Sequence, residues 1–180
     1  MKKIIIIISI LILTGCGVYL PFNDRLSYQS LKQIKSDINL KDKPTINIIW
    51  DPNDFPQRVD VQGASGFINA GSRFRIPTGV GLSSRIEEAV ATYANISDKG
   101  KSLIIIVDSA KTKFTTSFTN IDTAQVNLSL TFNLDGKSWS KDFFAQTHEG
   151  GIRDATKVSV LESAWDLVAL DVAKNIANYL

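Results

Sequence analysis

The chain has 180 residues, 44% of them hydrophobic, with 20 basic and 18 acidic side chains and a formal charge of +2. That length supports one domain with a real core, and the near-balance of charge lacks the basic patch a nucleic-acid partner needs. The single cysteine excludes an intrachain disulfide, and the single histidine, His148, argues against a multi-histidine metal site.

At the amino terminus, Lys2 and Lys3 precede an apolar run over residues 4–13 that closes on Leu13, Thr14, Gly15 and Cys16. The run has the length of a signal-peptide core and falls short of the roughly 20 apolar residues a spanning helix requires. The Leu-Thr-Gly-Cys ending resembles the lipobox of bacterial lipoprotein signals. That resemblance implies a signal peptide over 1–15, with Cys16 as the first mature residue, acylated on its sulfur and its amine. Two or more acyl chains, at about 0.8 kcal/mol per buried CH2, hold a protein on a bilayer in practice permanently. In the same family an aspartate after the cysteine favours retention in the inner membrane. Gly17 stands there instead, so the expected address is the outer membrane of a Gram-negative host, facing the periplasm. An ordinary signal peptide with an accidental cysteine and an uncleaved anchor are the competing readings. Loss of Lys2 and Lys3 leaves 18 basic against 18 acidic residues. A lipidated Cys16 leaves no thiolate for catalysis.

Residues 16–43 read mainly as a tether. Leu31, Ile34 and Ile38 have helical spacing, but Lys32, Lys35, Asp37 and Lys41 interleave with them. Fully extended, such a segment reaches at most roughly 90 Å. A single domain is expected over 44–180.

That domain opens with a strand over 45–50, where Ile46, Ile48 and Ile49 are stopped by Asp51 and Pro52. An irregular stretch follows to about Gly81, long enough to imply either work to do or structure of its own. Within it, Val59 and Val61 could pair with Phe67 and Ile68 as a hairpin. A helix follows, with Leu82, Ile86, Ala89, Val90 and Tyr93 on one face and a capping box from Ser84 and Glu87, ending near Asn95.

Three strands come next. Residues 103–107 form an apolar run, extended through Phe114 and Phe118. From Ala124 to Leu134 apolar residues alternate with Gln125, Asn127, Ser129, Thr131 and Asn133, which requires one buried and one wet face. Asp135-Gly136 signals a tight hairpin with positive φ at both positions, and Trp139, Phe143 and Ala145 share a side of the return strand. Leu161, Trp165, Val168, Val172, Ile176 and Tyr179 then mark a final helix, with Ser159 and Glu162 offering a second capping box. The expected fold is α+β: a four-stranded, mostly antiparallel sheet with two helices on one face, in the order strand-helix-strand-strand-strand-helix.

Catalytic signals are sparse. His148 stands at a strand end beside Glu149, Gly150 and Gly151, and no Gly-x-Ser-x-Gly elbow accompanies it. Gly79-Val80-Gly81 lacks the third glycine of a phosphate-binding turn. Glu87 and Glu88 point about 100° apart on one helix and read as a solvated face rather than a carboxylate pair across a cleft. Asp51 and Asp54 flank Pro52 and read as turn formers. Arg58, Arg73, Phe74 and Arg75 combine cations with an aromatic ring, a mixture enriched in interface hot spots and suited to lipid phosphates or acidic sugars. The bland alternative is a loop whose phenylalanine plugs the core edge while its arginines stay wet.

A lipobox, a polar tether and one small domain with this element order resemble a broad group of outer-membrane lipoproteins. The group includes YajG-like lipoproteins, the lipopolysaccharide-assembly lipoprotein and auxiliary lipoproteins of membrane-lipid ABC transport. As a residue motif the resemblance covers Leu13 to Cys16 alone, and the loop over 51–81 departs from the compact members. It implies a membrane-anchored, non-enzymatic accessory subunit without a cofactor, whose partners are the membrane through Cys16 and an envelope protein or lipid-linked component. A small cell-wall or lipid hydrolase acting through His148 and a purely structural envelope lipoprotein are the alternatives.

Overall fold

The computed structural model describes residues 18–19, 23–51, 59–62, 73–76, 79–115, 121–150 and 157–180. Among them the chain forms β1 (Val18–Tyr19), α1 (Tyr28–Asp37), β2 (Thr45–Asp51), β3 (Val59–Gln62), β4 (Arg73–Ile76), α2 (Gly79–Val90), β5 (Asn95–Ile96), β6 (Lys101–Thr115), β7 (Ile121–Leu134), β8 (Lys137–Gly150) and α3 (Lys157–Ala177). Strands β5-β2-β6-β7-β8 make a five-stranded sheet, and β1-β4-β3 a second, smaller one.

The α+β class is as expected, but four strands and two helices are too few. Strand β5, two residues long, pairs in parallel with β2 at the sheet edge, and no periodicity is legible in two residues. The second sheet was not anticipated. Val59 and Val61 do belong to a hairpin strand, yet their register partners are Ile76 and Phe74 rather than Ile68 and Phe67.

The third helix lies within the expected tether. Ser27 caps α1 by accepting from the Ser30 amide at 3.2 Å. Ile34 is fully buried, and Leu31 and Ile38 pack partly buried against the core. The interleaved Lys32, Lys35 and Asp37 are this helix's wet face. Lys174 on α3 bridges to Asp37 at 2.8 Å and fixes the far end of α1.

In the main sheet β2 runs parallel to β6, while β6, β7 and β8 form the expected antiparallel meander. Asp135 and Gly136 turn the last hairpin at φ 50° and 81°. The alternating residues of β7, from Ala124 to Phe132, are all fully or almost fully buried, and Leu103, Ile105 and Val107 of β6 lie abreast of them on the same face. Against that face packs α3, whose Leu161, Trp165, Val168, Val172 and Ile176 are completely buried. Phe132, Trp139 and Tyr179 stack in sequence, with ring centroids 5.0 and 3.9 Å apart, and hold the carboxyl end of α3 to the sheet. Tyr93, just past α2, donates its hydroxyl to the Ala173 carbonyl at 2.7 Å, and burial pushes that hydroxyl well above the usual tyrosine range.

Neither expected capping box forms. Both α2 and α3 begin before them, so Ser84 and Ser159 lie inside helices. Among the described residues no helix is long and apolar enough to cross a membrane.

Candidate functional site

The chemistry-bearing residues fall into two groups, the small β1-β4-β3 sheet and the contacts of the amino-terminal segment with α2 and α3. Cys16 lies outside the described residues, two positions before β1. Strand β1 pairs in parallel with β4, setting Val18 beside Phe74 and Tyr19 beside Arg75. Strand β3 closes the other side, with Val61 opposite Phe74, Asp60 opposite Arg75 and Gln62 opposite Arg73. The sequence thus placed Arg73, Phe74 and Arg75 in one functional cluster, and the structure puts them on one strand, paired with β1 on one side and β3 on the other. Arg58 lies outside the described residues.

Four residues after β1 the chain is clasped to the helices. Glu162 of α3 accepts the Asn23 amide at 2.8 Å, and Glu88 of α2 accepts the Leu26 amide at 2.8 Å. Asp166 of α3 accepts both the Ser27 amide and the Ser30 hydroxyl at 3.0 Å. Its other oxygen takes the Arg85 guanidinium at 2.9 Å. Arg85 also donates to the carbonyls of Gly81 and Asn23 and lies over the Trp165 ring. With Arg85 1% exposed and Asp166 7% exposed, this is a buried ion pair whose partners are satisfied by further hydrogen bonds, the condition under which such pairs persist.

The sequence reading missed the clasp because Arg85 and Asp166 stand 81 positions apart. A signal was present: each interrupts the apolar stripe of its helix, and their charges are opposite. Glu87 and Glu88 are likewise more than a solvated face. Glu88 caps the Leu26 amide, and Glu87 accepts the Trp50 indole N–H at 2.7 Å.

The face of the main sheet turned from the helices is polar and open. His148 lies exposed on it, with Nδ1 3.1 Å from the Thr123 hydroxyl and Nε2 2.8 Å from the Gln146 amide. Both ring nitrogens are thus met by neutral groups, and no described contact joins His148 to a carboxylate or a nucleophile. Four large apolar side chains interrupt this face: Phe144, 56% exposed, Ile49 at 41%, and the half-buried Ile104 and Ile106. Among the described residues no cluster of histidine, cysteine and carboxylates could hold a metal.

No family model matches the sequence, and neither does any curated protein. Several solved structures align with it at low identity. A Xanthomonas campestris protein, XCC0632, of family DUF330, is 12% identical at a TM-score of 0.44, covering 91% of this chain and 94% of its own. A minor lipoprotein from Acinetobacter baumannii is 10% identical at 0.39, covering 76% and 90%. An uncharacterized protein is 13% identical at 0.43, covering 89% and 98%. Likeness at this level carries neither a residue role nor an activity to this chain.

Proposed function

We propose that this chain is a lipid-anchored protein of the bacterial envelope, acylated on Cys16 after removal of residues 1–15. It acts without catalysis as a binding or accessory subunit of an assembly or transport complex, held on the periplasmic face of the outer membrane. Arg58, Arg73, Phe74 and Arg75 are its proposed contact set.

The observation that carries the proposal is the clasp. The segment just behind Cys16 is bonded to α2 and α3 by three carboxylates and a buried guanidinium. A domain pulled by its amino terminus needs such a joint, whereas a free-floating one has little use for it. The Lys2-Lys3 start, the apolar run and the Leu-Thr-Gly-Cys ending add the signal that would place a lipid there.

Intact mass of the protein extracted from native membranes tests the anchor. The expected product begins at Cys16 and carries acyl chains, while an unprocessed amino terminus or a free thiol overturns the proposal. Capture from detergent-solubilised membranes tests the accessory role: a reproducible envelope component is expected to co-purify, and a protein recovered alone counts against a subunit function.

A further inference from the structure

We infer that two copies of this chain join edge to edge along β8, antiparallel about a two-fold axis beside Phe144. The result is one continuous sheet, five strands from each copy, with the two α3 helices side by side. The pairing does not rest on the acylation of Cys16.

The edge comes first. An open strand edge is a template for further pairing, and proteins blunt it with short strands, prolines, bulges or a covering element. One edge of the main sheet is blunted in this way, since β5 has two residues. The other is β8, 14 residues without a proline, paired to β7 from Lys137 to Gly150 with no shift of register. Among the described residues no strand pairs with its outer side. The two-residue turn at Asp135-Gly136 makes Leu134 and Lys137 a hydrogen-bonded pair. Odd-numbered residues of β8 therefore bond to β7, and even-numbered ones turn their N–H and C=O groups outward.

Register comes second. Centring the self-pairing on Asp142 would oppose two carboxylates, which destabilises a sheet. Centring it on Phe144 opposes Asp142 to Gln146, Lys141 to Thr147 and Ser140 to His148, with no like charges facing. Phe144, 56% exposed, then lies against its own copy.

The helix layer agrees. Helix α3 packs over both β7 and β8. Thr147 donates to the Val160 carbonyl at 2.7 Å and the Trp139 indole to Asn175 at 2.9 Å, so α3 runs antiparallel to β8. Halfway between those contacts stand residue 143 of β8 and residues 167–168 of α3, which sets Leu167 level with Phe144. Val160, Ala164, Leu167, Asp171 and Asn175 recur at steps of four, three, four and four and share one flank of the helix. Asp166 and Ala173, bonded to Arg85 and Tyr93, lie on the flank towards α2. At the middle of the flank turned to the β8 edge is Leu167, 42% exposed. A helix over β7 and β8 lies about one strand spacing from the two-fold, which leaves about 10 Å between the two α3 axes, the distance at which helices pack. One exposed apolar side chain in each layer thus meets its own copy at the same axis.

The full-length chain, extracted from native membranes in mild detergent, is expected to sediment as a dimer. Phe144→Lys and Leu167→Lys each set two ammonium groups across the axis, at side chains the fold leaves exposed. Each should raise the dimer dissociation constant at least about tenfold, with circular dichroism and thermal midpoint unchanged. Phe144→Cys should form a disulfide with its own copy under mild oxidation in the membrane, because facing Cα atoms of a hydrogen-bonded pair stand about 5.5 Å apart, within disulfide reach. Ser138→Cys should not, since its two copies stand about 40 Å apart along the strands. Mapping the bridged peptides separates these products from any bridge at Cys16, and the unmodified sequence is the blank. Should a lysine variant fold poorly, the cysteine pair decides.

A chain that sediments as a monomer at micromolar concentration, a dimer untouched by both lysine variants, or bridging at 138 equal to that at 144 overturns the pairing. A bridge from position 144 to a different protein overturns it too, and gives the β8 edge to another partner.

Discussion

Replacing Asp166 by asparagine should be the most damaging isosteric change in the described part of the molecule. The substitution keeps the shape and removes the charge that faces Arg85 at 2.9 Å, in a site where the guanidinium is 1% exposed. Breaking a buried pair from one side leaves the other charge uncompensated, which costs about 3–5 kcal/mol. The second carboxylate oxygen holds the Ser27 amide and Ser30 hydroxyl, and an amide oxygen accepts these less strongly than a carboxylate. Against a total stability of roughly 5–15 kcal/mol, that loss is a large fraction. Urea unfolding followed by circular dichroism measures it, with an unchanged m-value as the check that the native state keeps its compactness.

The double variant Arg85→Met, Asp166→Leu removes both charges and should be less destabilised than the worse single, giving a coupling of at least about 1 kcal/mol. Hydrogen exchange at residues 23–30 should rise in Asp166→Asn before the sheet opens. A cost below about 1 kcal/mol, or strict additivity in the double variant, would refute the clasp as a coupled unit, since surface pairs behave that way.

Further outcomes are expected from the rest of the fold. Tyr93→Phe should cost about 1 kcal/mol for the lost bond to Ala173. Because burial raises the Tyr93 hydroxyl above its ordinary value of 10.0, the stability it contributes is present below about pH 10 and lost as the pH rises further, so the variant should resist alkaline unfolding better in a pH series. Asp37 behaves oppositely: the hydrogen bond from Lys174, chief among the causes, holds its carboxyl below the ordinary 3.8. Its contribution is therefore present above about pH 4 and lost below it, and Asp37→Asn should flatten the acid limb of the same series. Trp139→Leu removes the middle ring of the Phe132-Trp139-Tyr179 stack and its indole bond to Asn175; a cost of about 1–3 kcal/mol and faster exchange over residues 175–180 are expected. A Cβ at Gly100 would lie 2.5 Å from the Ile46 backbone, so Gly100→Ala should lower the urea midpoint by forcing the start of β6 away from β2.

Elements whose period is set by one buried face were legible in the sequence. The alternation over 124–134, the Asp135-Gly136 turn and the apolar steps of α3 each repeat often enough to identify the element and its inner face. Elements made by pairing across long separations were not. Strand β5 has two residues, and β1 finds β4 across 56 positions. Helix α1 is half legible: Leu31, Ile34 and Ile38 have the right spacing, but lysines interleaved with so short a stripe fit a polar tether as well as a helix's solvent side. The contact set was legible as a composition of arginine and phenylalanine. Its pairing with β1 and β3 depends on strand register, which composition does not contain.

The clasp changes what the amino-terminal segment can do. A tether of 28 residues would let the domain roam roughly 90 Å from its lipid, and little that happens at the membrane would be felt in the fold. With the chain seized at Asn23, the free reach from Cys16 falls to at most roughly 25 Å, and pairing of β1 with β4 shortens it again. Tension applied from the amino-terminal side of the segment would fall onto Glu162, Glu88 and Asp166, carboxylates on the two helices that pack against one another. The load thus enters near the carboxyl end of α2, at Glu88, and in the first half of α3, at Glu162 and Asp166, and passes through their buried stripes into the sheet. The bond from Asn23 to Glu162 is open to water and those to Glu88 and Asp166 are half-buried, so the buried Arg85-Asp166 pair is the part of the latch that water reaches least, which gives a physical reason for keeping an ion pair there.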